Sequence, residues 1–458
     1  MMIVAFENFI YALGNELWSK WVLIALLGTG IIVLFATSGI QKYLGLALKK
    51  TFKSYFKGTK AEKDQKEVAG NISLVKALFT ALSSSIGVGN VVGVGTAIAM
   101  GGPGAVLWMW ISGLLGMGLK YAEVVLSLVY RQQDENGIYR GGPMYVYKNG
   151  LHAKWAGYIF AIIISVVSLI SLNMVQIGSA ASSLKTAFNI PPIVTGIIAT
   201  IIVALVILGG LDRLSKAAYA SVSVMTTFFV AGGLIVLILN ITKIPGAIAL
   251  IFKSGLTGQA AVGGFAGSTI MAATRYGVAR GLLANEAGCG SAPMAHSTAK
   301  AKHPCEQGLY GISEVFIVSY IVCTFTALVI LVTGVWKTGE DGVTLVVHAF
   351  SKNLGFVGEA IVAITIASFA VKTIFGGSWY GQTGMAYVAG TKGILPYKIV
   401  SLILCFIGSL LGSDFLFALT DTANGFAVLV NLVSVLLLIK VVRAQTKEYF
   451  SREDAKIV

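Results

Sequence analysis

The sequence predicts an all-α polytopic membrane protein with about 11 transmembrane helices. Hydrophobic residues make up 56% of the chain and charged residues only 12%, whereas soluble proteins carry about 25% charged residues. The mean hydropathy is +0.82, and the apolar runs have the length of about 20 residues that crosses a bilayer as a helix. One of these runs contains a cluster of helix-weakening residues, Thr80 to Gly95, which indicates a site and not only a scaffold.

The apolar runs place the predicted spans in order along the chain. They cover roughly 18 to 46, 73 to 98, 103 to 130, 155 to 184, 192 to 210, 217 to 240, 259 to 284, 309 to 335, 355 to 389, 396 to 412 and 421 to 442. No basic region precedes the first run, which follows Glu7 and Glu16. We therefore expect that run to be a retained helix and not a cleaved signal peptide.

Lysine and arginine are concentrated on one side of this topology. The basic stretches on that side are 49–66, 131–154, 213–216, 300–302, 392–398 and 440–456. The positive-inside rule makes this side the cytoplasm, with the N-terminus outside and the C-terminus inside the cell membrane. The same rule accounts for the net charge of +14. No solvated basic face with stacking aromatics is present, which argues against a nucleic-acid partner.

The ten spans after the first helix divide into two sets of five. Because five is an odd number, the second set enters the membrane from the opposite side and forms an inverted repeat. The predicted segments are an extra N-terminal helix (1–48), a basic cytoplasmic loop (49–72), the first five-helix repeat (73–240), the second five-helix repeat (241–442) and a basic cytoplasmic tail (443–458).

Each half opens with a helix interrupted by glycine. The first interruption is Ser83 to Asn90, and the second is predicted at Gly263 to Thr269. In hydrocarbon, free backbone groups are tolerated only where they line a cavity or bind a ligand. Two such helices in inverted halves are typical of a secondary transporter with its site near the midplane. Close helix packing is the alternative explanation for glycines such as Gly93 and Gly95.

The first interruption has groups suited to an amino acid and to a cation. N–H groups from Ile86 to Gly89 would face a carboxylate at the positive end of the following half-helix. Carbonyls freed near Ser83 suit a hard cation such as Na⁺. Asn173 and Gln176 are three residues apart and are expected on one helix face. There their amides would bind a zwitterion or hydrogen-bond a neighbouring helix.

Few residues indicate other chemistry. The four cysteines, Cys289, Cys305, Cys323 and Cys405, have no C-x-x-C spacing, which argues against disulfides and a zinc site. The sequence also lacks H-E-x-x-H, P-loop and G-x-S-x-G motifs. We therefore expect no enzyme and no covalently bound cofactor. Glu123 is interpreted as a helix-end charge, with a role in an ion pathway as the alternative. Arg275, Arg280 and Glu286 are interpreted as anchoring charges, with an ion-pair gate as the alternative.

Six segments, in order over nearly the whole chain, resemble the alanine or glycine:cation symporter family. The string Asn285-Glu-Ala-Gly-Cys-Gly-Ser-Ala-Pro293 is the most specific of them. The six segments are Thr80 to Asn90, Gly101 to Ala105, Lys120 to Glu123, Gly141 to Tyr145, Asn173 to Gln176 and Ala284 to Pro293.

The resemblance implies a leucine-transporter-like fold with one extra N-terminal helix. It also implies Na⁺-coupled uptake of small neutral amino acids of the alanine and glycine type. The substrate contacts it implies are Ser85, Ile86, Gly87, Val88, Gly89, Asn90, Asn173, Gln176, Phe265, Gly267, Ser268, Thr269, Met271, Gly376, Gly377 and Trp379. The cation site, for Na⁺ or for a lysine in its place, is expected to comprise Ser83, Ile86, Phe369, Lys372 and Thr373.

The ninth span departs from the family's pattern. The family reads approximately Ser/Thr-Thr-x-x-Gly-Trp-x-Tyr-Tyr-Gly-Glu, whereas this chain reads Lys372-Thr-Ile-Phe-Gly-Gly-Ser-Trp-Tyr-Gly-Gln382. Lys372 stands where a hydroxyl would coordinate sodium, roughly 25 Å of helix from either end of its span. Gly377 replaces a bulky residue and is expected to leave room for a larger substrate, unless Trp379 fills the space.

Three roles for Lys372 stay open at this point. Its ammonium would replace Na⁺ against the free carbonyls, which leaves transport Na⁺-independent or coupled to protons. Alternatively, sodium coupling would survive through another site. The third reading is a structural lysine that faces a cytoplasmic vestibule.

Other membrane protein classes fit the sequence less well. A channel would need no inverted pair of broken helices. A membrane-embedded enzyme would need facing acid and base groups, and Lys372 has no carboxylate or histidine beside it in the sequence. A sensor would bind an amino acid without moving it. Substrate rank order and oligomeric state are left open.

Overall fold

The computed structural model describes residues 2–57, 68–257, 270–340, 342–411 and 413–452, which are almost entirely helical. The helices are α1 (Met2–Glu16), α2 (Val22–Ala36), α3 (Leu44–Lys57), α4 (Leu74–Ser85), α5 (Val92–Gly101), α6 (Ala105–Val129), α7 (Pro143–Asn149), α8 (Lys154–Leu169), α9 (Val175–Phe188), α10 (Pro192–Ile207), α11 (Gly210–Leu239), α12 (Ile244–Thr257), α13 (Ile270–Asn285), α14 (Pro293–His296), α15 (Pro304–Phe316), α16 (Thr324–Thr333), α17 (Gly342–Leu354), α18 (Phe356–Ala389), α19 (Ile394–Leu410), α20 (Ser413–Leu437) and α21 (Ile439–Ser451). One antiparallel hairpin pairs β1 (Gln132–Gln133) with β2 (Tyr139–Arg140).

Long apolar helices confirm the polytopic all-α fold class. Among the described residues, eight helices are long and apolar enough to cross a membrane: Phe9–Ala36, Ala105–Val129, Lys154–Phe188, Gly210–Leu239, Pro304–Thr333, Phe356–Ala389, Thr391–Leu410 and Leu419–Leu437. Shorter apolar helices are Leu74–Ser85, Val92–Gly101 and Pro192–Ile207. The protein is therefore a multi-pass membrane protein. The total of 11 spans and the five-plus-five repeat stay predictions.

Two predicted spans end earlier than expected. The first helix stops at Ala36, because Ser38 and Gly39 have φ angles of 53° and 72°, outside the helical range. The amphipathic helix α3 then begins at Leu44 as a separate element. At the other end of the chain, α20 stops at Leu437, and the polar helix α21 follows it. Hydropathy alone merges each membrane helix with its neighbour.

The first predicted interruption is present. Helix α4 ends at Ser85, a single 3₁₀ turn covers Val88–Asn90, and α5 starts at Val92. Gly87 is extended, with φ −131° and ψ −160°. The chain therefore leaves the helix for about one turn in the middle of an otherwise buried segment.

A second break in the helical structure, called the second interruption, follows α13 and lies beside the first. Helix α13 ends at Asn285, and α14 begins at Pro293. Between them, Glu286, Gly288 and Gly290 all have positive φ. Helix α4 packs against α14, whereas α5 packs against α13. The two interruptions thus lie side by side in the core of the molecule, and the break predicted at Gly263 to Thr269 lies outside the described residues.

The loops predicted to be cytoplasmic meet at one end of the molecule. Arg131 donates hydrogen bonds to the carbonyls of Ala299 (2.8 Å) and Ala69 (2.9 Å). Thr391 donates to Glu135 over 3.1 Å. These contacts place four of the basic segments on a common side, and the assignment of that side to the cytoplasm stays a prediction.

Candidate functional site

The backbone N–H groups of the first interruption are held by side-chain amides. The Gly87 N–H donates to Asn90 Oδ1 (2.7 Å), and the Val88 N–H donates to Gln176 Oε1 (3.2 Å). In an unbroken helix these groups would donate to Ser83 and Ser84. Two amide oxygens therefore stand where an incoming carboxylate would accept the same N–H groups.

Lys372 lies on the carbonyl side of the interruption. Its Nζ donates to the carbonyl of Ile86 and lies 4.3 Å from the centre of the Phe369 ring. The side chain is completely buried. No carboxylate pairs with Lys372 in the part of the chain that the structure describes. The amino group thus lies between a carbonyl dipole and an aromatic face, both of which favour a positive charge.

Gly87 is tightly packed. A Cβ built on Gly87 would lie 2.5 Å from Thr373 Oγ1 and 3.2 Å from Gln176 Oε1. Thr373 Oγ1 is buried and has no hydrogen-bond partner in the described residues. The backbone of the first interruption therefore meets α9 and α18 at a position where only glycine fits.

Asn173 and Gln176 have different partners. Asn173 lies in the π-helical turn Ile170–Met174, where the helical register changes. Its Nδ2 donates to the carbonyl and hydroxyl of Ser401, at 2.8 and 2.9 Å. Asn173 thus links this turn to α19, whereas Gln176 accepts from the first interruption.

The ninth-span residues lie in three different environments. Gly376 packs against Ser84, whose backbone N would lie 2.9 Å from an added Cβ. Gly377 packs against Leu172, so the expectation that Gly377 leaves room for a larger substrate is wrong. Trp379 donates from Nε1 to the carbonyl of Met294 over 3.1 Å. Trp379 thus packs on α14 and lies about two helical turns along α18 from Lys372.

Two serines of the first interruption have different partners. Ser83 donates to the carbonyl of Thr80 (2.7 Å) within its own helix. The hydroxyl of Ser85 lies 3.0 Å from the carbonyl of Ala81 and 3.0 Å from Glu314 Oε1. The two hydroxyls therefore do not point at a common ion site in this conformation.

The remaining predicted residues lie further along the chain. Gly89 makes ordinary contact with Leu283. Met271 is 65% exposed at the start of α13 and takes no part in the centre of the molecule. Four other predicted contacts, Phe265, Gly267, Ser268 and Thr269, lie outside the described residues.

The second interruption contains a buried carboxylate that the sequence interpretation does not place there. Glu286 accepts hydrogen bonds from the hydroxyls of Ser84 (2.6 Å) and Ser291 (2.5 Å). Its φ of 54° is uncommon outside glycine. A cavity of about 20 Å³ lies beside Glu286 and is also lined by Leu172, Leu283 and Ser291. In the sequence, the glycine spacing of Asn285 to Pro293 and the proline itself are the features that could indicate this break.

More charged groups are buried nearby. Glu123 accepts from the N–H groups of Gly288 (3.1 Å) and Gly290 (3.0 Å). Glu314 lies 3.4 Å from Lys120 Nζ. All three side chains are at most 3% exposed. The interpretation of Glu123 as a helix-end charge is therefore wrong, because Glu123 fixes the glycine turn of the second interruption.

An open cavity approaches the interruptions from the end opposite the basic loops. It has a volume of about 630 Å³ and is lined by residues from α1, α5, α13 and α20. Arg280 and Asp421 stand in its wall and form a bidentate ion pair, at 2.9 and 3.0 Å. One helical turn further along α13, Leu282 and Leu283 line the small cavity. The ion pair thus lies between the two cavities.

The whole chain matches one protein family. Residues 3–457 match the model of the sodium:alanine symporter family. The chain belongs to the sodium:alanine symporter family. This family consists of transporters, so the protein is a transporter and not an enzyme.

Two relatives illustrate the match. The sodium/alanine symporter AgcS of Methanococcus maripaludis is 37% identical over 454 residues, which cover 97% of this chain and 97% of AgcS. An uncharacterised transporter of Haemophilus influenzae is 39% identical over 450 residues, which cover 97% of this chain and 96% of that relative.

The structure also resembles solved transporters. The crystal structure of MhsT in complex with L-phenylalanine superposes with a TM-score of 0.57 at 11% identity, and the match covers 82% of this chain and 98% of MhsT. This likeness shows the leucine-transporter-like fold, as the sequence resemblance implied.

Gly87→Ala is expected to abolish uptake by this symporter family member. The added methyl group would overlap Thr373 Oγ1, and overpacking of this kind costs about 1–3 kcal/mol and displaces backbone. Amino acid uptake by purified variants in liposomes measures the effect. Gly93→Ala is the matched control, because nothing lies within 4 Å of a Cβ at Gly93. Equal uptake by the two variants would contradict the tight contact.

Proposed function

We propose that this protein imports small neutral amino acids by alternating access, with Lys372 in place of a sodium ion beside the first interruption. The observation that carries the proposal is the hydrogen bond from the Lys372 ammonium to the carbonyl of Ile86. A carbonyl freed by a helix break is the ligand type that binds Na⁺ in broken-helix transporters. The ammonium supplies the same positive charge to the same oxygen.

The substrate carboxylate binds the N–H groups of Gly87 and Val88. These groups lie at the start of the half-helix that leads into α5, where the positive end of the helix dipole favours an anion. The oxygens of Asn90 and Gln176 hold them in the absence of substrate. Each amide would turn aside as the carboxylate enters, so the N–H groups remain bonded throughout.

Lys372 can replace sodium because no carboxylate among the described residues neutralises it. Within that part of the chain, its ammonium has the Ile86 carbonyl as its hydrogen-bond acceptor, and Phe369 covers it from the other side. A buried ammonium and a sodium ion on one carbonyl would repel each other strongly in a medium of low dielectric. The site therefore suits one cation at a time, and the ammonium of Lys372 is that cation because it is part of the chain.

Alternating access would follow from the pairing of the two interrupted helices. Helix α4 packs against the short helix α14, and α5 packs against α13. This arrangement supports two inverted repeats, 73–240 and 241–442, that rock about a central site. In this scheme the large cavity opens to the outside, as the basic-loop distribution predicts.

Sodium coupling through another site is the second candidate. The family name and the relative AgcS, a sodium/alanine symporter at 37% identity, favour it. It differs from the main proposal in one measurable property, which is whether the parent protein needs sodium at all.

Uptake by the parent protein is expected to continue without sodium, whereas Lys372→Ser is expected to acquire sodium dependence. The serine removes the fixed charge and restores a hydroxyl beside the Ile86 carbonyl, as at sodium sites. Labelled alanine uptake into liposomes under a sodium gradient, a proton gradient or neither gradient measures both variants. Lys392→Ser, at the edge of a basic loop, is the matched control and should behave as the parent.

Strict sodium dependence of the parent would reject Lys372 as the sodium substitute and favour the second candidate. Absence of uptake for every neutral amino acid under both gradients would reject the transport proposal itself.

Leu172→Ala is expected to widen the substrate range. Leu172 lines the small cavity and fills the space beside Gly377, so the parent should prefer alanine and glycine to larger residues. Truncating leucine to alanine removes three carbons, and valine or leucine uptake should rise relative to alanine uptake. Competition of unlabelled amino acids against labelled alanine measures the ratio. Leu205→Ala, whose side chain is 64% exposed on α10, is the control. An unchanged ratio in Leu172→Ala would contradict this assignment.

A further inference from the structure

A buried ionisable cluster adjoins the second interruption, and the substrate contacts described above do not use it. The cluster consists of Lys120, Glu123, Glu286, His296 and Glu314. Every member is at most 5% exposed. Ionisable side chains inside a membrane protein are costly, which makes such a cluster a candidate for function.

His296 connects Gln307 with Glu314. Gln307 Nε2 lies 2.7 Å from His296 Nδ1 and donates to the carbonyl of Leu74 over 3.3 Å. His296 Nε2 lies 2.8 Å from Glu314 Oε2. His296 therefore stabilises the carboxylate of Glu314.

The charges of the cluster do not balance. Lys120 and His296 both pair with Glu314, and even a protonated His296 leaves two cations against three carboxylates. Glu123 and Glu286 then remain as two carboxylates without a cationic partner in the described residues. Burial of two uncompensated charges is expensive, so at least one of these carboxylates must bind a proton or another cation.

The hydrogen-bond partners distinguish the two carboxylates. Glu123 accepts from two backbone N–H groups and from the side-chain amide of Asn431 (2.5 Å). These groups can only donate, and they stabilise the anion. Glu286 instead accepts from the hydroxyls of Ser84 and Ser291. A hydroxyl can donate or accept, so the surroundings of Glu286 suit both the carboxylate and the carboxylic acid.

Other polar groups face Glu286 from every side. Lys120, Glu314, Cys289 and Tyr380 are close enough to influence it electrostatically. Tyr380 is completely buried, and its hydroxyl lies beside the Ser84 hydroxyl that donates to Glu286.

A path for that proton is visible on the side of the large cavity. The small cavity beside Glu286 has a volume of about 20 Å³, enough for one water molecule. Ser171 and Asn424 give it further polar lining. Asn424 lies one turn along α20 from Asp421, which stands in the wall of the large cavity. Opening of the Arg280–Asp421 pair would connect the two cavities.

We propose that Glu286 binds and releases the proton that drives amino acid import. A hydronium ion on the outer side gives up a proton, which forms an O–H bond to the carboxylate of Glu286 and leaves water behind. The acid then donates to Ser84 or Ser291, whose hydroxyl reorients. When α4 moves away and the site opens inward, the proton passes to water on the inner side together with release of the amino acid. This proposal rests on the proposed function, since it names the coupling ion for a carrier whose sodium position Lys372 fills.

Two assays in sodium-free liposomes test proton coupling through Glu286 separately from amino acid transport itself. Counterflow exchange of labelled against unlabelled alanine needs only substrate binding and alternating access. Acidification of the liposome interior upon addition of alanine, reported by a trapped pH-sensitive dye, needs proton co-transport. The parent is expected to show both.

Glu286→Gln is expected to keep counterflow and to lose both acidification and accumulation driven by a proton gradient. The amide preserves the shape of the side chain and its bonds to the hydroxyls, but it does not titrate. Glu16→Gln changes an exposed carboxylate and is expected to retain all three activities.

Each unfavourable outcome has a distinct meaning. Absence of counterflow in the parent rejects the proposed function. Counterflow without acidification in the parent rejects proton coupling alone. Proton-driven accumulation by Glu286→Gln, or loss of counterflow in a folded Glu286→Gln protein, rejects Glu286 as the proton carrier. If Glu286→Gln does not fold, Ser291→Ala provides the test. Loss of one hydroxyl donor destabilises the carboxylate form of Glu286, so the pH of half-maximal uptake should move upward. An unchanged pH profile rejects the proposal.

Discussion

The structure depends on how broken helices satisfy their backbone groups inside a membrane. An unsatisfied backbone group in hydrocarbon costs several kcal/mol, so each interruption must bring its own partners. At the first interruption the partners are the amides of Asn90 and Gln176 and the ammonium of Lys372. At the second, Glu123 receives two backbone N–H groups. The positions of α6, α9 and α18 around the centre follow from these requirements.

The same requirement explains why charged residues concentrate at the centre of this protein. A glycine turn exposes N–H groups that a carboxylate satisfies well, and the carboxylate then needs donors or cations of its own. Glu123 accepts its hydrogen bonds from N–H donors, whereas Glu314 pairs with Lys120 and His296. Glu286, which accepts from hydroxyls, is left without a fixed charge state. The differences among the three carboxylates therefore arise from the chemistry of their donors.

The sequence predicts the fold class, the first interruption and the contact between Lys372 and the free carbonyl near Ile86. These features depend on composition and on local patterns, which a single sequence displays directly. The interruption between Asn285 and Pro293 is not predicted as a break within the membrane. Hydropathy favours a run without charges, and Glu286 makes this run resemble a loop at the membrane surface.

The packing errors have a different cause. A period of 3.6 residues assigns Asn173 to the face of Gln176, and the π-helical turn Ile170–Met174 breaks that period. Gly377 suggests open space because glycine has no side chain, but Leu172 fills that space. The local pattern of one helix does not reveal a change of helical register. It also does not reveal which side chain of a neighbouring helix packs against it.

A cation that is part of the chain differs energetically from one that is dissolved. A free ion leaves its site on the inner side, and each tenfold difference in its concentration contributes about 1.4 kcal/mol to accumulation. In the proposed cycle, Lys372 stays on α18 in every state and returns with the empty carrier. Its charge therefore adds no net current to a complete cycle, and the membrane potential acts equally on its forward and return movements. A carrier built in this way draws no electrical work from the position that Lys372 occupies.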